Sequence, residues 1–188
     1  MEYCPNVRKH YNEFWGEFTE HRFLKGPINE LPVGLRVLKF IPNSKRNMWT
    51  YATCGMSNHS DVNAIEIHMF SPVEHDFLIE LLTIIAHYHV TGGNLGLGHT
   101  IHFGCPWYKD SKLEYGLISL PYLDGPAFEK YQTESKMIQF LWLIPISEEE
   151  KNYKKQRGLE ALEQKFDEMN LNYLDPYRKN VIFRRNFL

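Results

Sequence analysis

Four histidines lie within nineteen residues, in the stretch AHYHVTGGNLGLGHTIHFG at 86–104. Imidazole is a good zinc ligand, but the ligands of one ion must converge on a single point. His87 and His89 are two residues apart on a predicted helix and therefore project about 200° apart around its axis. His99 and His102 are three apart on a predicted strand, so their side chains point to opposite faces. At most one histidine of each pair can reach a shared site, for example His89 with His99, and we predict no metal site.

The same stretch holds five of the twelve glycines of the chain, most of them in GGNLGLG at 92–98. A phosphate-binding loop follows a strand and opens a helix, because its N–H groups and the positive end of the helix dipole must face the anion. Here the predicted helix precedes the loop, and the loop contains no lysine. The glycines instead predict a hinge between a helix and a strand. Such a loop on a rigid scaffold is also a suitable place to bind a partner.

Glu66 and His68 are a second pair of side chains that could do chemistry, because they share one face of the predicted strand NAIEIHMF at 63–70. A carboxylate beside an imidazole can act as an acid–base pair, and His102 could lie next to it. The alternative is an ordinary sheet face covered by solvent or by a helix. No serine lies in a GxSxG pattern and Cys54 has no evident base, so we assign no catalytic residue and no cofactor.

The composition is that of an ordinary soluble globule, with 43% of the 188 residues hydrophobic and 23% charged. The net charge of −2 gives no electrostatic reason to expect nucleic acid or an anionic membrane as the main ligand. Cys4, Cys54 and Cys105 have no CxxC spacing, which argues against a disulfide framework or a thiolate zinc site and fits a reducing compartment. The N-terminus lacks the apolar segment of a signal peptide, and the longest apolar run, at 140–146, is too short to span a bilayer. We therefore expect a cytoplasmic protein.

The hydrophobic pattern predicts one α+β domain over residues 1–188, a mixed β-sheet packed with helices. Apolar residues at helical spacing from 7 to 23 predict an N-terminal helix within residues 1–25. Two further helices are predicted after the last strand, at 147–158, where Ser147 and Glu150 form a capping box, and at 159–169. Alternating or continuously apolar runs predict strands at 34–41, 48–56, 63–70, 99–103, 115–120 and 137–146.

The best-marked helix of the chain is SPVEHDFLIELLTIIAHYHVTGG at 71–93. Ser71 and Glu74 fit a capping box at its start, and Gly92 or Gly93 can supply the left-handed residue that ends it. The apolar spacing predicts that its inward stripe consists of Phe77, Leu81, Ile84, Ile85 and Tyr88.

Seven segments, in collinear order between about residues 30 and 180, resemble the suppressor-of-fused (SUFU) domain family. They are MWTYATCGMS, EIHMFSP, LLTIIAHYH, GHTIHFGCPW, LISLPYLDGP, FLWLIPIS followed by an acidic helix start, and GLEALEQKFD with LDPYR after it. The resemblance implies an α+β domain that binds protein and has no known enzymatic activity. Animal members carry an additional C-terminal domain and hold a short segment of a zinc-finger transcription factor. This chain is more similar to the short, single-domain bacterial members, which commonly accompany polymorphic toxins.

The resemblance also implies a partner-binding region in the helix-to-strand segment 86–102. In the animal members a tyrosine near the helix end and an acid in the loop help to grip the peptide. Tyr88 matches the tyrosine, whereas Gly98 stands in the place of the acid, just before His99. The missing charge means that the same peptide specificity is not expected. Tyr88 is equally a candidate core residue, because it falls on the predicted inward stripe.

We therefore expect a non-catalytic protein-binding module, in the form of a bacterial immunity or antitoxin protein that covers the active site of a cognate toxin. Toxins that act on nucleic acid are usually basic, so acidic patches on an inhibitor would favour binding. The acidic candidates are Asp76 and Glu80 in the central helix, and Glu148, Glu149 and Glu150 at the start of a later one.

Two other functions are compatible with the same sequence. The first is a regulatory adaptor that binds a cellular protein other than a toxin, since this also needs only a complementary surface. The second is a metal-dependent hydrolase built from the histidine and glutamate side chains at Glu66, His68, His89 and His99.

Overall fold

The computed structural model describes residues 4–23, 30–59 and 62–182. Within this part of the chain the strands are β1 (Thr19–His21), β2 (Arg36–Phe40), β3 (Trp49–Cys54), β4 (Ile65–Ser71), β5 (Thr100–His102), β6 (Tyr115–Ser119), β7 (Lys130–Gln132) and β8 (Met137–Ile146). They form one sheet in the order β1-β2-β3-β4-β8-β6-β5, with β7 also paired to β8. The β4–β8 pair is parallel and the β1–β2, β2–β3, β3–β4, β5–β6 and β7–β8 pairs are antiparallel. The sheet is therefore mixed, as the sequence predicts.

The helices are α1 (Pro5–Trp15), α2 (Phe77–Tyr88), α3 (Pro126–Glu129), α4 (Glu148–Arg157) and α5 (Leu159–Glu168). A 3₁₀ turn (Met56–Asn58) follows β3, and a π-helical turn (His89–Gly93) continues α2. The capping box predicted for α4 is present in full: the Ser147 hydroxyl accepts from the Glu150 N–H, and the Glu150 carboxylate accepts from the Ser147 N–H. The α+β class predicted from the sequence is confirmed.

The described parts of residues 1–97 and 118–143 form one compact unit. Helix α1 covers one face of its strands through a cluster that is half aromatic and consists of Val7, Tyr11, Trp15, Leu38, Phe40, Ala52, Cys54, Phe128, Ile138 and Phe140. Successive strand residues point to opposite faces, so Tyr51 and Met69 point away from this cluster. The Tyr51 hydroxyl accepts a hydrogen bond from the His75 N–H, just before α2, and α2 packs on this second face.

The described parts of residues 98–117 and 144–188 form a second compact unit. Its buried apolar residues include Trp107 and Leu113, together with Leu162 and Phe166 from α5. An ion pair between Glu150 and Arg178 lies among them, with the two side chains 0% and 5% exposed. This unit therefore depends on a buried charge pair as well as on apolar packing.

Helix α1 is shorter than the sequence pattern predicts. It ends at Trp15, where Gly16 takes a left-handed φ of 86° and donates its N–H to the Asn12 carbonyl. Residues 19–21 then pair with β2 as a strand rather than continuing the helix. The apolar spacing of the helix is right as far as Trp15, while the end of the predicted segment, at residues 24 and 25, lies outside the described residues.

Helix α2 begins six residues later than the predicted cap. Ser71 does not cap the helix, because it is the last residue of β4, pairs with Trp49 across the sheet and donates its hydroxyl to the Val73 carbonyl. The N-cap residue is Asp76 instead. Glu74, the other half of the predicted capping box, is drawn to Lys39 of β2. Strand pairing thus takes precedence over a capping motif.

The predicted inward stripe of α2 is also wrong in part. Leu81 and Ile85 are buried as predicted, but Ile84 and Tyr88 are 52% and 51% exposed. The side of the helix that faces the sheet differs from the predicted side. Its buried residues are Leu78, Ile79, Leu81, Leu82, Thr83, Ile85 and Ala86. Two large side chains predicted for the core therefore lie at the surface.

Candidate functional site

Four residues of the α2 region form a line, which we call the α2 stripe: Asp76, Ile84 and Tyr88 are exposed and Glu80 is half-buried. Each lies four residues from the next, so all four share one side of the helix. More than half of the Ile84 and Tyr88 surfaces is accessible. The stripe is acidic at its N-terminal end and apolar at its C-terminal end, a combination that suits contact with another macromolecule.

Lys39 partly neutralises the acidic end of the α2 stripe. Its Nζ lies 2.5 Å from a carboxylate oxygen of Glu74 and 3.5 Å from one of Asp76. The hydrogen bond to Glu74 is the main cause that raises the pKa of Lys39 above its ordinary value. Both carboxylates are exposed, so each ion pair stabilises the fold by at most about 1 kcal/mol. A basic partner can therefore compete for Asp76 at little cost to the fold.

The apolar end of the stripe is held in place by the turn that follows α2. A Cβ atom on Gly93 would lie 2.5 Å from Cε1 of Tyr88, so the glycine backbone sits directly against the tyrosine ring. Gly92 has a φ of 152° and Asn94 a left-handed φ of 34°, which together fold the chain back at this point. The Tyr88 ring is thus exposed and supported from behind, and such an arrangement lowers the entropy lost when a partner binds.

His89 fixes the loop after α2. Its Nδ1 accepts from the Leu95 N–H at 2.9 Å, so the other nitrogen, Nε2, carries the proton and donates to the Asn63 carbonyl at 3.0 Å. Burial is the main cause that lowers the pKa of His89. The Asn63 side-chain amide also donates to the Leu95 carbonyl. His89 is therefore a structural residue that secures the loop next to Tyr88.

Four of the residues singled out from the sequence lie in the second unit. His99 is exposed, and the Gly98 carbonyl accepts a hydrogen bond from Lys154 of α4. Gly98 has a left-handed φ of 80°, so the backbone there favours glycine over the acid that the family resemblance leads one to expect. Glu148 and Glu149 are exposed in the first turn of α4, and a hydrogen bond from Ser147 is the main cause that lowers the pKa of Glu149.

Glu66 is fully buried and its carboxylate is enclosed by donors. It accepts hydrogen bonds from the Thr53 hydroxyl at 2.7 Å, the Gly55 N–H at 2.9 Å, and the Ser57 hydroxyl and N–H at 2.7 and 3.0 Å. The Met56 N–H approaches at 3.3 Å. The carboxylate therefore holds together the turn after β3, and it has no free side from which to reach a substrate.

His68 is also fully buried, beside the rings of Trp15 and Phe128 at centroid distances of 5.0 and 5.6 Å. Within the part of the chain that the structure describes, neither ring nitrogen has a hydrogen-bond partner. Close by, Asp124 accepts from the Trp15 indole N–H at 2.7 Å and pairs with Arg46. The pattern YLDG around Asp124 is more typical of a turn than of a catalytic aspartate, yet the Asp124 side chain is only 4% exposed.

The burial of His68 predicts a stability that depends on pH. Desolvation is the main cause that lowers its pKa well below 6.5, and the nearby Arg46 charge adds to this. The unfolded chain therefore takes up the proton first, so stability is complete above pH ~6.5 and falls below it by about 1.4 kcal/mol per pH unit for this one group. Urea unfolding of His68→Phe should show a loss between pH 7 and pH 5 that is about 2 kcal/mol smaller than in the wild type.

The exposed His99→Phe substitution is the matched control and should leave the pH profile unchanged. His10 and His89 also have lowered pKa values through burial. The free energy of unfolding of His68→Phe should therefore still fall with pH, but less steeply than that of the wild type. If the free energy of unfolding of His68→Phe fell with pH as steeply as that of the wild type, the burial of His68 would not be the cause of the loss of stability.

Among residues 4–23, 30–59 and 62–182, no three His, Cys, Asp or Glu side chains are grouped so that they could hold a metal ion. The polar atoms of Glu66 and His89, two of the four residues of the hydrolase hypothesis, all bond to the protein itself. In the same ranges, no helix combines the length and the apolar character needed to cross a membrane.

The mixed sheet, with α1 and α2 on its two faces, defines an α+β domain of the suppressor-of-fused class. The family model for suppressor of fused protein (SUFU) matches residues 32–179, and the chain therefore belongs to this family. Membership supports a non-catalytic protein-interaction module rather than an enzyme. No curated protein sequence matches the chain.

Solved structures are similar to the chain over almost its whole length. A SUFU homolog from Neisseria gonorrhoeae FA 1090 is 30% identical, with a TM-score of 0.85 over 98% of this chain and 99% of that one. A chain of the Sufu–Fu complex crystal structure shares the fold at 14% identity, with a TM-score of 0.71 over 95% of this chain and 91% of that one. Drosophila Suppressor of Fused is also 14% identical, with a TM-score of 0.69, and this chain covers 50% of its length.

Proposed function

We propose that the protein is a bacterial immunity protein that binds a cognate toxin and blocks it by covering its active site. The observation that carries the proposal is the α2 stripe, where the exposed Ile84 and Tyr88 follow the acidic Asp76 and Glu80 along one side of a helix packed on the sheet. A preformed surface binds with little loss of conformational entropy, and acidic residues favour a basic partner. The likeness to a SUFU homolog from Neisseria gonorrhoeae also supports the proposal of a bacterial role.

The contact residues proposed in the first unit are Asp76, Glu80 and Tyr88, and Ile84 joins them because it shares their exposed side. Those proposed in the second unit are Gly98, His99, Glu148 and Glu149. A partner can use either surface, and the substitution described below tests the first.

Coexpression with the protein encoded by the neighbouring reading frame tests the function. We expect that protein to stop growth when expressed alone, and this chain to restore growth and to copurify with it. Failure of the neighbour to be toxic, together with recovery of no toxin from the native host, would contradict the immunity role.

A regulatory adaptor is the second candidate, because one structure with the same fold is that of a Sufu–Fu complex. A pull-down from the native host separates the two functions. An adaptor would recover a cellular protein whose expression alone does not stop growth, whereas an immunity protein would recover a toxin.

Ile84→Asp should weaken partner binding at least about 10-fold, because a charge on the apolar end must be desolvated in the complex. Ile41→Asp is the matched control, since Ile41 is 60% exposed but lies off the stripe. It should bind as the wild type does, and both variants should unfold at the wild-type temperature. Isothermal titration calorimetry with the partner measures the difference. If the two variants bound the partner with equal affinity, the α2 stripe would not be the binding surface.

A further inference from the structure

Two cysteines that are fifty residues apart in the sequence come together where α1 begins. Cys4 is the N-cap residue of α1 and continues the inward line of Val7 and Tyr11. Cys54 is the last residue of β3, is 1% exposed and belongs to the cluster on which α1 packs. Cys4 packs against that same cluster, which brings its thiol close enough to that of Cys54 for each to influence the pKa of the other.

The surroundings of the two sulfurs differ in a way that suits a reactive pair. Cys4 is partly exposed, and its Sγ accepts a hydrogen bond from the Asn58 side-chain amide at 3.0 Å. The interaction with Cys54 is the main cause that lowers the pKa of Cys4, and the interaction with Cys4 is the main cause that raises the pKa of Cys54. Cys4 is therefore the more accessible and more acidic of the two thiols and Cys54 the buried thiol beside it, which is the usual division between an attacking and a resolving cysteine.

We infer that Cys4 and Cys54 form a reversible redox site that hydrogen peroxide oxidises to an intramolecular disulfide. The Cys4 thiolate attacks one peroxide oxygen, the O–O bond breaks, and the second oxygen leaves as water after taking up a proton. The Cys54 thiol then attacks the sulfur of the Cys4 sulfenic acid, which releases a second water. One peroxide is reduced to two waters, while two thiols lose two electrons and become one disulfide. A dithiol reductant reverses the reaction.

The disulfide would join the start of α1 to the end of β3. It would close a loop of about fifty residues, and closing a loop of this size removes much of the freedom of the unfolded chain. The oxidised protein should therefore resist unfolding more than the reduced protein does. The third cysteine, Cys105, is exposed and lies outside this cluster.

The test uses the full chain with Cys105→Ser, which prevents disulfides between molecules. After hydrogen peroxide treatment, alkylation and digestion without reductant, mass spectrometry should find the peptide of Cys4 joined to that of Cys54, at the expense of both alkylated peptides. The melting temperature should rise by about 10 °C and return after reduction with dithiothreitol. In Cys54→Ala in the same background, the temperature should not rise, and dimedone should trap the sulfenic acid on Cys4.

Two results would overturn the inference. One is complete alkylation of both cysteines after peroxide treatment of the folded protein. The other is oxidation of Cys4 to the sulfinic acid while Cys54 remains a free thiol. Neither result depends on whether the partner is a toxin, so this test and the test of the proposed function fail independently.

Discussion

Replacing Glu66 with alanine is expected to destabilise the protein by about 4 kcal/mol or more, one of the largest effects of any single substitution. The carboxylate is the common acceptor for the Thr53 hydroxyl, the Ser57 hydroxyl and the N–H groups of Gly55 and Ser57. Its removal leaves these donors buried without an acceptor, and each such donor costs about 1–3 kcal/mol. The free energy of unfolding from urea titration measures the effect.

Glu66→Gln keeps the prediction testable if the alanine variant does not fold. The amide has nearly the same size and retains one acceptor oxygen, but its NH₂ group faces donors, so we expect a loss of about 2–3 kcal/mol. Glu74→Ala is the control, because Glu74 is exposed and its ion pair with Lys39 is worth at most about 1 kcal/mol. If Glu66→Gln proved as stable as the wild type, the carboxylate would not be what holds the turn.

The sequence predicts the presence of Glu66 and His68 on one strand face but not what they do there. Strand alternation is a local property, and it correctly separates these two from Ile65, Ile67 and Met69. Their roles depend on residues that arrive from elsewhere. The donors around Glu66 come from the end of β3 and the turn after it, and the rings around His68 come from α1 and α3. A pair that looks like an acid and a base is therefore one structural carboxylate and one buried imidazole.

The α2 stripe shows a different limit of the sequence pattern. Most positions of FLIELLTIIAHY are apolar, so the periodicity does not single out one inward side. The buried side is set by contact with the sheet, and this contact turns Ile84 and Tyr88 outward. The family resemblance alone pointed to Tyr88 as a contact residue, while nothing in the sequence pointed to Ile84. Which side of α2 is exposed is therefore visible only in the structure.

Asp124 and Arg46 show why ion pairs between distant residues escape sequence analysis. They are 78 residues apart, and each has an ordinary local explanation, Asp124 as a turn residue and Arg46 as a loop cation. In the structure the Arg46 guanidinium also lies over the Trp15 ring at 4.9 Å. The packing of α1 and two loops brings the two residues together, and a local sequence pattern does not predict such packing.

Substitution of Arg178 by methionine is expected to destabilise the second unit by about 3–5 kcal/mol, because it leaves the Glu150 carboxylate buried and without its counter-ion. The guanidinium binds both oxygens of Glu150, at 2.6 and 2.8 Å, and also donates to the Pro145 carbonyl at 2.9 Å. The same carboxylate accepts from the N–H groups of Ser147 and Val181. The start of α4 and the segment at 178–181 are therefore held by one charge pair.

A double substitution distinguishes a buried charge from lost packing. Glu150→Gln combined with Arg178→Met removes both charges, and it should be at least about 1 kcal/mol more stable than Arg178→Met alone, because no unpaired charge remains in the interior. Lys179→Met is the control, since Lys179 is exposed next to Arg178 and should change stability by no more than about 0.5 kcal/mol. A double variant less stable than Arg178→Met alone would mean that Glu150 stabilises the fold through its bonds to Ser147 and Val181 even without the arginine.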